Sequence, residues 1–217
     1  MNYEQARFNM VEQQVRPWEV LDSGVLSVMS QVPRENFVPA AYKNSAYCDY
    51  AVPIGHHQEM LKPVLVGRLL QSLNLKDDEI VLEVGTGTGY LTACLAKLGS
   101  YVYSVDIIPA FLALAQKNLT SLGIDNVTLK TGDASKGWAD RALYDVIVIT
   151  GSMPDVPACY KNSLEIGGRL FVVTGTSPVM HARLITRVAE NDWSEVNILE
   201  TDLPPLENTR PKEQFHF

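Results

Sequence analysis

The chain changes its hydrophobic rhythm near residue 79. Before that point apolar residues recur at helical spacing and are broken by prolines. Residues Tyr3 to about Val15 predict a helix that stops at Arg16-Pro17, and Asp22 can cap a second helix running to about Ser30. Val32-Pro-Arg-Glu-Asn-Phe-Val-Pro39 predicts a turn or short helix followed by extended chain. Tyr50 to Lys62 carries Pro53, Gly55 and two adjacent histidines and predicts an ordered loop. Pro63 then suits the first turn of a helix bearing Val64, Leu65, Leu69, Leu70 and Leu73.

From Glu79 short apolar runs alternate with helical stretches. Strands are predicted at Ile80–Val84, Tyr101–Asp106, Asn126–Thr131, Tyr144–Thr150 and Arg169–Thr174, with helices at Thr88–Leu98, Pro109–Leu122 and Val156–Leu164, the last ending at Gly167-Gly168. Near-continuous apolar strands between helices predict an α/β fold, a mostly parallel sheet covered on both faces. Ala182–Glu190 and Ser194–Thr201, joined near Asn191-Asp192, predict an antiparallel hairpin, and the last ten residues are polar. The implied organisation is one domain: an N-terminal helical and loop addition over 1–78, an α/β core over 79–205 and a tail over 206–217.

Composition narrows the partners. A length of 217 residues with 46% hydrophobic content can bury a core, and no apolar run is long enough to span a bilayer. The net charge of -7, without a dense Lys/Arg cluster, argues against a nucleic-acid partner. Cys48, Cys94 and Cys159 lack disulfide or metal-ligand spacing, so reduced thiols in a cytoplasmic protein with no metal are expected. Trp18, Trp138 and Trp193 are too dispersed to form a base-stacking set.

The candidate chemistry lies where the first strand meets its helix. Glu83-Val-Gly85-Thr86-Gly87-Thr-Gly89 places three glycines where an open parallel sheet binds nucleotides. Acidic residues then close or enter three successive strands. Glu83 lies inside the first, where a buried carboxylate needs a cation or donors to face. Asp106 ends the second, 17 residues past Gly89, and can accept ribose hydroxyls. Asp133 follows the third and can read an adenine amine, or serve as an ordinary loop or cap residue. A dinucleotide site expects G-x-G-x-x-G and a turn without a carboxylate to repel pyrophosphate, which makes NAD or FAD the weaker reading. The set points instead to S-adenosylmethionine, whose α-ammonium Glu83 could face directly or through water.

With these motifs in view, the chain resembles the protein-L-isoaspartate O-methyltransferase family. Val32-Pro-Arg-Glu-Asn-Phe-Val-Pro39, Val52-Pro-Ile-Gly-His56-His-Gln58, Val81–Tyr90, Gly132-Asp133, Tyr144–Thr150 and Gly167-Gly-Arg-Leu170 follow in the family's order, over roughly residues 10 to 205. The resemblance implies a Rossmann-like class I methyltransferase fold with an altered C-terminal strand order and S-adenosylmethionine as donor. It also implies donor contacts from Glu83, Gly85, Thr86, Gly87, Gly89, Asp106, Ile107, Asp133 and Ala134, and a protein or peptide acceptor carrying an isoaspartyl residue.

The chain departs from the family at the acceptor. Where the family has Thr-Ile-Ser this chain has Glu59-Met60-Leu61, and its Ala-Ala-Pro run after the fourth strand is replaced by Gly151-Ser152-Met153-Pro154. Acceptor-site candidates are therefore His56, Glu59, Met60, Leu61 and Thr150. His56 could bind the acceptor or act as a base, and equally could be a loop histidine bonded to backbone; His57 is read the same way. Met60 and Met153 could line an apolar acceptor pocket or fill gaps. Losing the family's hydroxyl at Leu61 removes a hydrogen bond of about 1.5–3 kcal/mol to a charged acceptor. Glu59 can repel an acidic acceptor, and Lys62 can offset it. Three readings follow: an isoaspartyl methyltransferase, a methyltransferase with another acceptor, and a non-catalytic S-adenosylmethionine-binding regulator.

Overall fold

A computed structural model of the protein describes residues 2–138, 141 and 143–209. Helix α1 (Tyr3–Asn9) is capped by Asn2, whose side-chain oxygen accepts Gln5 N–H. The single helix expected over Tyr3–Val15 is α-helical only to Asn9. It continues as a π-helical stretch at Met10–Val15 and a 3-10 turn at Arg16–Trp18. Met10, Val11 and Val15 are all buried, a spacing that the wider π turn brings to one side. Helix α2 (Ser23–Gln31) starts as predicted, with Asp22 Oδ1 accepting Val25 N–H at 2.8 Å.

The stretch expected to be a loop between Tyr50 and Lys62 is instead a hairpin, β1 (Val52–Gly55) and β2 (Gln58–Met60). His56 and His57 form its two-residue turn, with φ of 52° and 59°. Such turns require left-handed backbone at both central positions and normally use Asn-Gly. The histidine pair hid that turn from a reading of turn residues. Helix α3 (Pro63–Leu73) begins on its proline as expected.

The core follows as β3 (Ile80–Val84), α4 (Tyr90–Leu98), β4 (Tyr101–Asp106), α5 (Pro109–Ser121), β5 (Val127–Thr131) and β6 (Tyr144–Met153). Helix α6 (Ala158–Asn162) is far shorter than the helix predicted to Leu164. Leu164 already pairs with Tyr144, so it opens β7 (Leu164–Thr176), and Gly167-Gly168 falls inside that strand at an irregularity of register. β8 (Val179–Ala189) and β9 (Asp192–Thr201) form the expected hairpin, each longer than predicted. Of the polar tail, residues 210–217 lie outside the described residues.

The seven strands lie in the order β5-β4-β3-β6-β7-β8-β9. The first five pair in parallel, and β8 pairs antiparallel with both β7 and β9. Alternation along β3 sorts its side chains. Val81 joins the N-terminal helices, α3 and α4 in one core cluster, while Leu82 and Val84 join Ile147, Leu170 and Tyr160 on the other face. Glu83 shares the Val81 face and is therefore sealed under α4. The C-terminal edges of β3 and β4 form the floor of the site.

Candidate active site

A cleft of about 980 Å³ opens at these strand ends. Gly85, Gly87, Asp106, Asp133 and Ala134 line one side, and Glu59, Met60 and Leu61 of the hairpin segment line the other. A smaller chamber of about 360 Å³ adjoins it between that segment and α4, with Thr86, Thr88 and Tyr90 in its wall.

The glycine-rich turn is held from below. Glu83 is fully buried, and its Oε2 accepts hydrogen bonds from Thr92 Oγ1 at 2.5 Å and Ser104 Oγ at 2.6 Å. Ser104 Oγ in turn shares a 2.6 Å hydrogen bond with Thr86 Oγ1, so the chain of hydroxyls runs from the carboxylate to the turn. Burial pushes the Glu83 carboxyl up to about 8, with the two hydroxyl bonds opposing that shift. Its second oxygen, Oε1, has no hydrogen-bond partner. Glu83 thus sits beneath the turn and not on the cleft wall.

Asp106 is 7% exposed, and its carboxylate accepts Gly87 N–H and Ile108 N–H at 2.9 Å each. Burial raises its carboxyl above the ordinary range, and those backbone donors oppose the rise. Asp106 lines the cleft. Asp133 is exposed and is held below the usual range, first by the Ser135 N–H bond at 2.8 Å. Its other oxygen accepts from the Asn208 side-chain amide at 2.9 Å. Ile107 lines the cleft beside Asp106, and Ala134 beside Asp133 accepts the Tyr160 hydroxyl through its carbonyl.

Thr150 stands at the floor, its hydroxyl within 3.0 Å of both the Val84 and Gly85 carbonyl oxygens. A Cβ at Gly85 would meet that hydroxyl oxygen at 2.0 Å, and the residue's φ is +95°. Both facts require glycine. Gly89 lies outside the cleft and packs on Ala115 of α5. On the hairpin, Met60 is buried at 7% exposure, Leu61 is half-buried and Glu59 is exposed. His56 is also outside the cleft wall; its ring packs edge-on against Phe111 at 5.4 Å, and Phe111 lines the cleft.

Three features escaped the sequence. The segment Leu203–Glu207 crosses the cleft as a strap, joined to β6 by Ser152 N–H to Pro204 O and Leu206 N–H to Ser152 O. Gly151 lacks a side chain because Leu206 passes over it: a Cβ there would lie 2.8 Å from the Leu206 nitrogen. The Gly151-Ser152 departure is the visible trace of that crossing. Asn208 and the buried Arg34 were also unread, since a lone Asn or Arg in sequence carries no sign of what it touches.

A parallel sheet with a glycine turn and a carboxylate at the ends of successive strands, all facing one cleft, defines a class I, S-adenosylmethionine-dependent methyltransferase. The family model of protein-L-isoaspartate(D-aspartate) O-methyltransferase matches residues 6–202. The chain belongs to this family. It is 38% identical over 198 residues to protein-L-isoaspartate O-methyltransferase 2 of Marinobacter nauticus, covering 91% of this chain and 90% of that one. It is 37% identical to the enzyme of that name from Syntrophotalea carbinolica, with 95% of each chain covered. A solved protein-L-isoaspartate O-methyltransferase superposes with a TM-score of 0.80 at 25% identity, over 92% of this chain and 65% of that chain. A second, from Plasmodium falciparum and in complex with S-adenosyl-L-homocysteine, gives 0.80 at 20% identity over 95% and 99%, and shows the shared fold. No helix among the described residues is long and apolar enough to cross a membrane.

Proposed function

We propose that this methyltransferase transfers a methyl group to the side carboxylate of an isoaspartyl residue in protein or peptide, with the acceptor entering past Glu59–Leu61. The supporting observation is convergence: Asp106, Asp133 and the Gly85–Gly87 turn face Met60 and Leu61 across one cleft. On this reading the ribose hydroxyls lie on Asp106 and the adenine amine on Asp133, in place of Asn208. The amino-acid end lies by the turn, near the free N–H groups that start α4. The cleft-lining carboxylates of Asp106 and Asp133, with Gly85 and Gly87 beside them carrying no side chain, fit such a group. Cys48, Cys94 and Cys159 are free thiols, which suits a reducing, cytoplasmic setting. The division into a 1–78 addition, a 79–205 core and a tail belongs to the same proposal.

The donor, when bound, supplies a sulfonium methyl group whose transfer to a carboxylate leaves a methyl ester and a thioether. The protein's part is alignment and exclusion of water. A carboxylate acceptor is ionised at neutral pH, so no residue need act as base. Met60, Leu61, Leu203 and Leu206 supply apolar walls around the reacting end. Among the described residues the exposed Glu59 carboxylate has no ion-pair partner, and that favours a second reading with an uncharged or cationic acceptor.

A labelled-methyl assay on an isoaspartyl peptide and its aspartyl twin separates the two. Base-labile label on the isoaspartyl peptide alone is the expected result. Tight S-adenosylmethionine binding by calorimetry with no such label assigns the cleft to another acceptor.

A further inference from the structure

Arg34 has no solvent exposure, and among the described residues no carboxylate forms an ion pair with it. Burying an unpaired guanidinium is costly, and an apolar side chain would fill the same space without that cost. Its contacts indicate what it achieves. Nε donates to Ala46 O at 2.8 Å and Nη2 to Leu61 O at 2.7 Å, while the guanidinium lies 4.8 Å from the centre of the Tyr90 ring. Leu61 belongs to the acceptor segment. Tyr90 is the first residue of α4, directly after the glycine-rich turn. One rigid, planar group therefore touches both sides of the reaction cleft from behind.

The far end of the segment is gripped as well. Asp49 Oδ1 accepts Val64 N–H at 2.9 Å at the start of α3. Between these bonds lie only Lys62 and Pro63, and Pro63 has no N–H to offer. The chain from β2 to α3 is thus pinned at Leu61 and at Val64, with the Leu61 side chain left to face the cleft.

We propose that Arg34 is a positioning residue for methyl transfer: through the Leu61 carbonyl and the Tyr90 ring it sets the distance between the acceptor segment Glu59–Lys62 and the donor turn, with Asp49 fixing the other end. The proposal rests on the cleft's assignment as the methyl-transfer site. In-line displacement tolerates little misplacement, and an error of about 1 Å costs on the order of a hundredfold.

Arg34→Lys keeps the charge and removes the planar fork. The expected result is a kcat on the isoaspartyl peptide lower by about thirtyfold, with donor Kd by calorimetry unchanged within about threefold. Amide hydrogen exchange at Leu61, Lys62 and Val64 should speed up while the β3, β4 and β6 amides stay protected. Exchange at those three amides as slow as in the wild type overturns the proposal, as does a loss of protection shared equally by the whole sheet. If Arg34→Lys does not fold, Asp49→Ala and Tyr90→Leu carry the test, each loosening the same three amides and lowering kcat about fivefold or more. Unchanged exchange in both variants also overturns it. A wild-type enzyme silent on the peptide removes the isoaspartyl assignment, and the exchange measurement still decides the role of Arg34.

Discussion

The two walls of the cleft are built in opposite ways. On the side proposed for the donor the side chains are committed: Asp106 holds Gly87 and Ile108, Thr150 holds Val84 and Gly85, and beneath the turn Glu83 holds Thr92 and Ser104. On the side proposed for the acceptor the cleft-lining side chains of Glu59, Met60 and Leu61 make no side-chain hydrogen bond among the described residues, and the segment is fixed through its backbone by Arg34 and Asp49. The donor wall is specified by what its residues are, the acceptor wall by where its main chain runs. Substitution in the first should destroy binding, while substitution in the second should retune it. A family can therefore keep one methyl donor while its acceptor position drifts.

Gly85→Ala is the strongest way to break the donor wall. The added Cβ meets the Thr150 hydroxyl at 2.0 Å in a backbone of φ +95°, so it is both blocked and strained. Donor affinity by calorimetry should fall by more than about a hundredfold, about 3 kcal/mol. Removing the obstacle with Thr150→Ala in the same chain should recover only part of this, because the φ strain of about 1–2 kcal/mol remains. Full recovery would show that the turn needs space alone.

Glu83→Gln tests the buried support of the same wall through pH. The folded carboxyl titrates near 8 and the unfolded one near its ordinary value of 4.5, so between these values the folded protein holds a proton that the unfolded chain has released. The group's contribution is fully present below about 4.5, declines by up to about 1.4 kcal/mol per pH unit as pH rises, and is lost above about 8. Denaturant melts at pH 5, 6.5 and 8 should show the wild type losing stability relative to Glu83→Gln. Parallel curves would falsify the view that Glu83 is held protonated under the turn.

This division also decides what could be read from the sequence. The α/β order, the parallel sheet and the C-terminal antiparallel pair were legible, because each strand is a continuous apolar run and Pro63 and Pro109 mark helix starts. The glycine turn, Asp106 and Asp133 could be named as candidates from residue identity alone, and Gly85, Gly87, Asp106 and Asp133 do line one cleft. The hairpin at Val52–Met60 was not, since His56-His57 adopts a turn that composition assigns to Asn or Gly. α6 was overextended because Leu164 and Ile166 continue an apolar pattern that strand pairing with β6 takes over. Arg34 and the strap at Leu203–Glu207 act through backbone carbonyls and main-chain bonds, which leave no mark on the spacing of residue types.

The smallest expected effect is the most informative about drift. Leu61→Ser returns a hydroxyl to a position whose main chain Arg34 already fixes, so the new donor should arrive nearly in place. One hydrogen bond to a carboxylate is worth about 1.5–3 kcal/mol, and exposure to the open cleft takes the lower end. kcat/KM on the isoaspartyl peptide should rise about tenfold, with donor Kd unchanged. Leu61 also packs against the larger core cluster, so the variant should lose about 1 kcal/mol of stability and the rate must be taken per folded molecule. The two walls make the gain conditional. In an Arg34→Lys background, with the segment loosened, the same serine should gain almost nothing. An equal gain in both backgrounds would mean that the hydroxyl acts without a fixed main chain, and the acceptor wall would then be specified by side chains as the donor wall is.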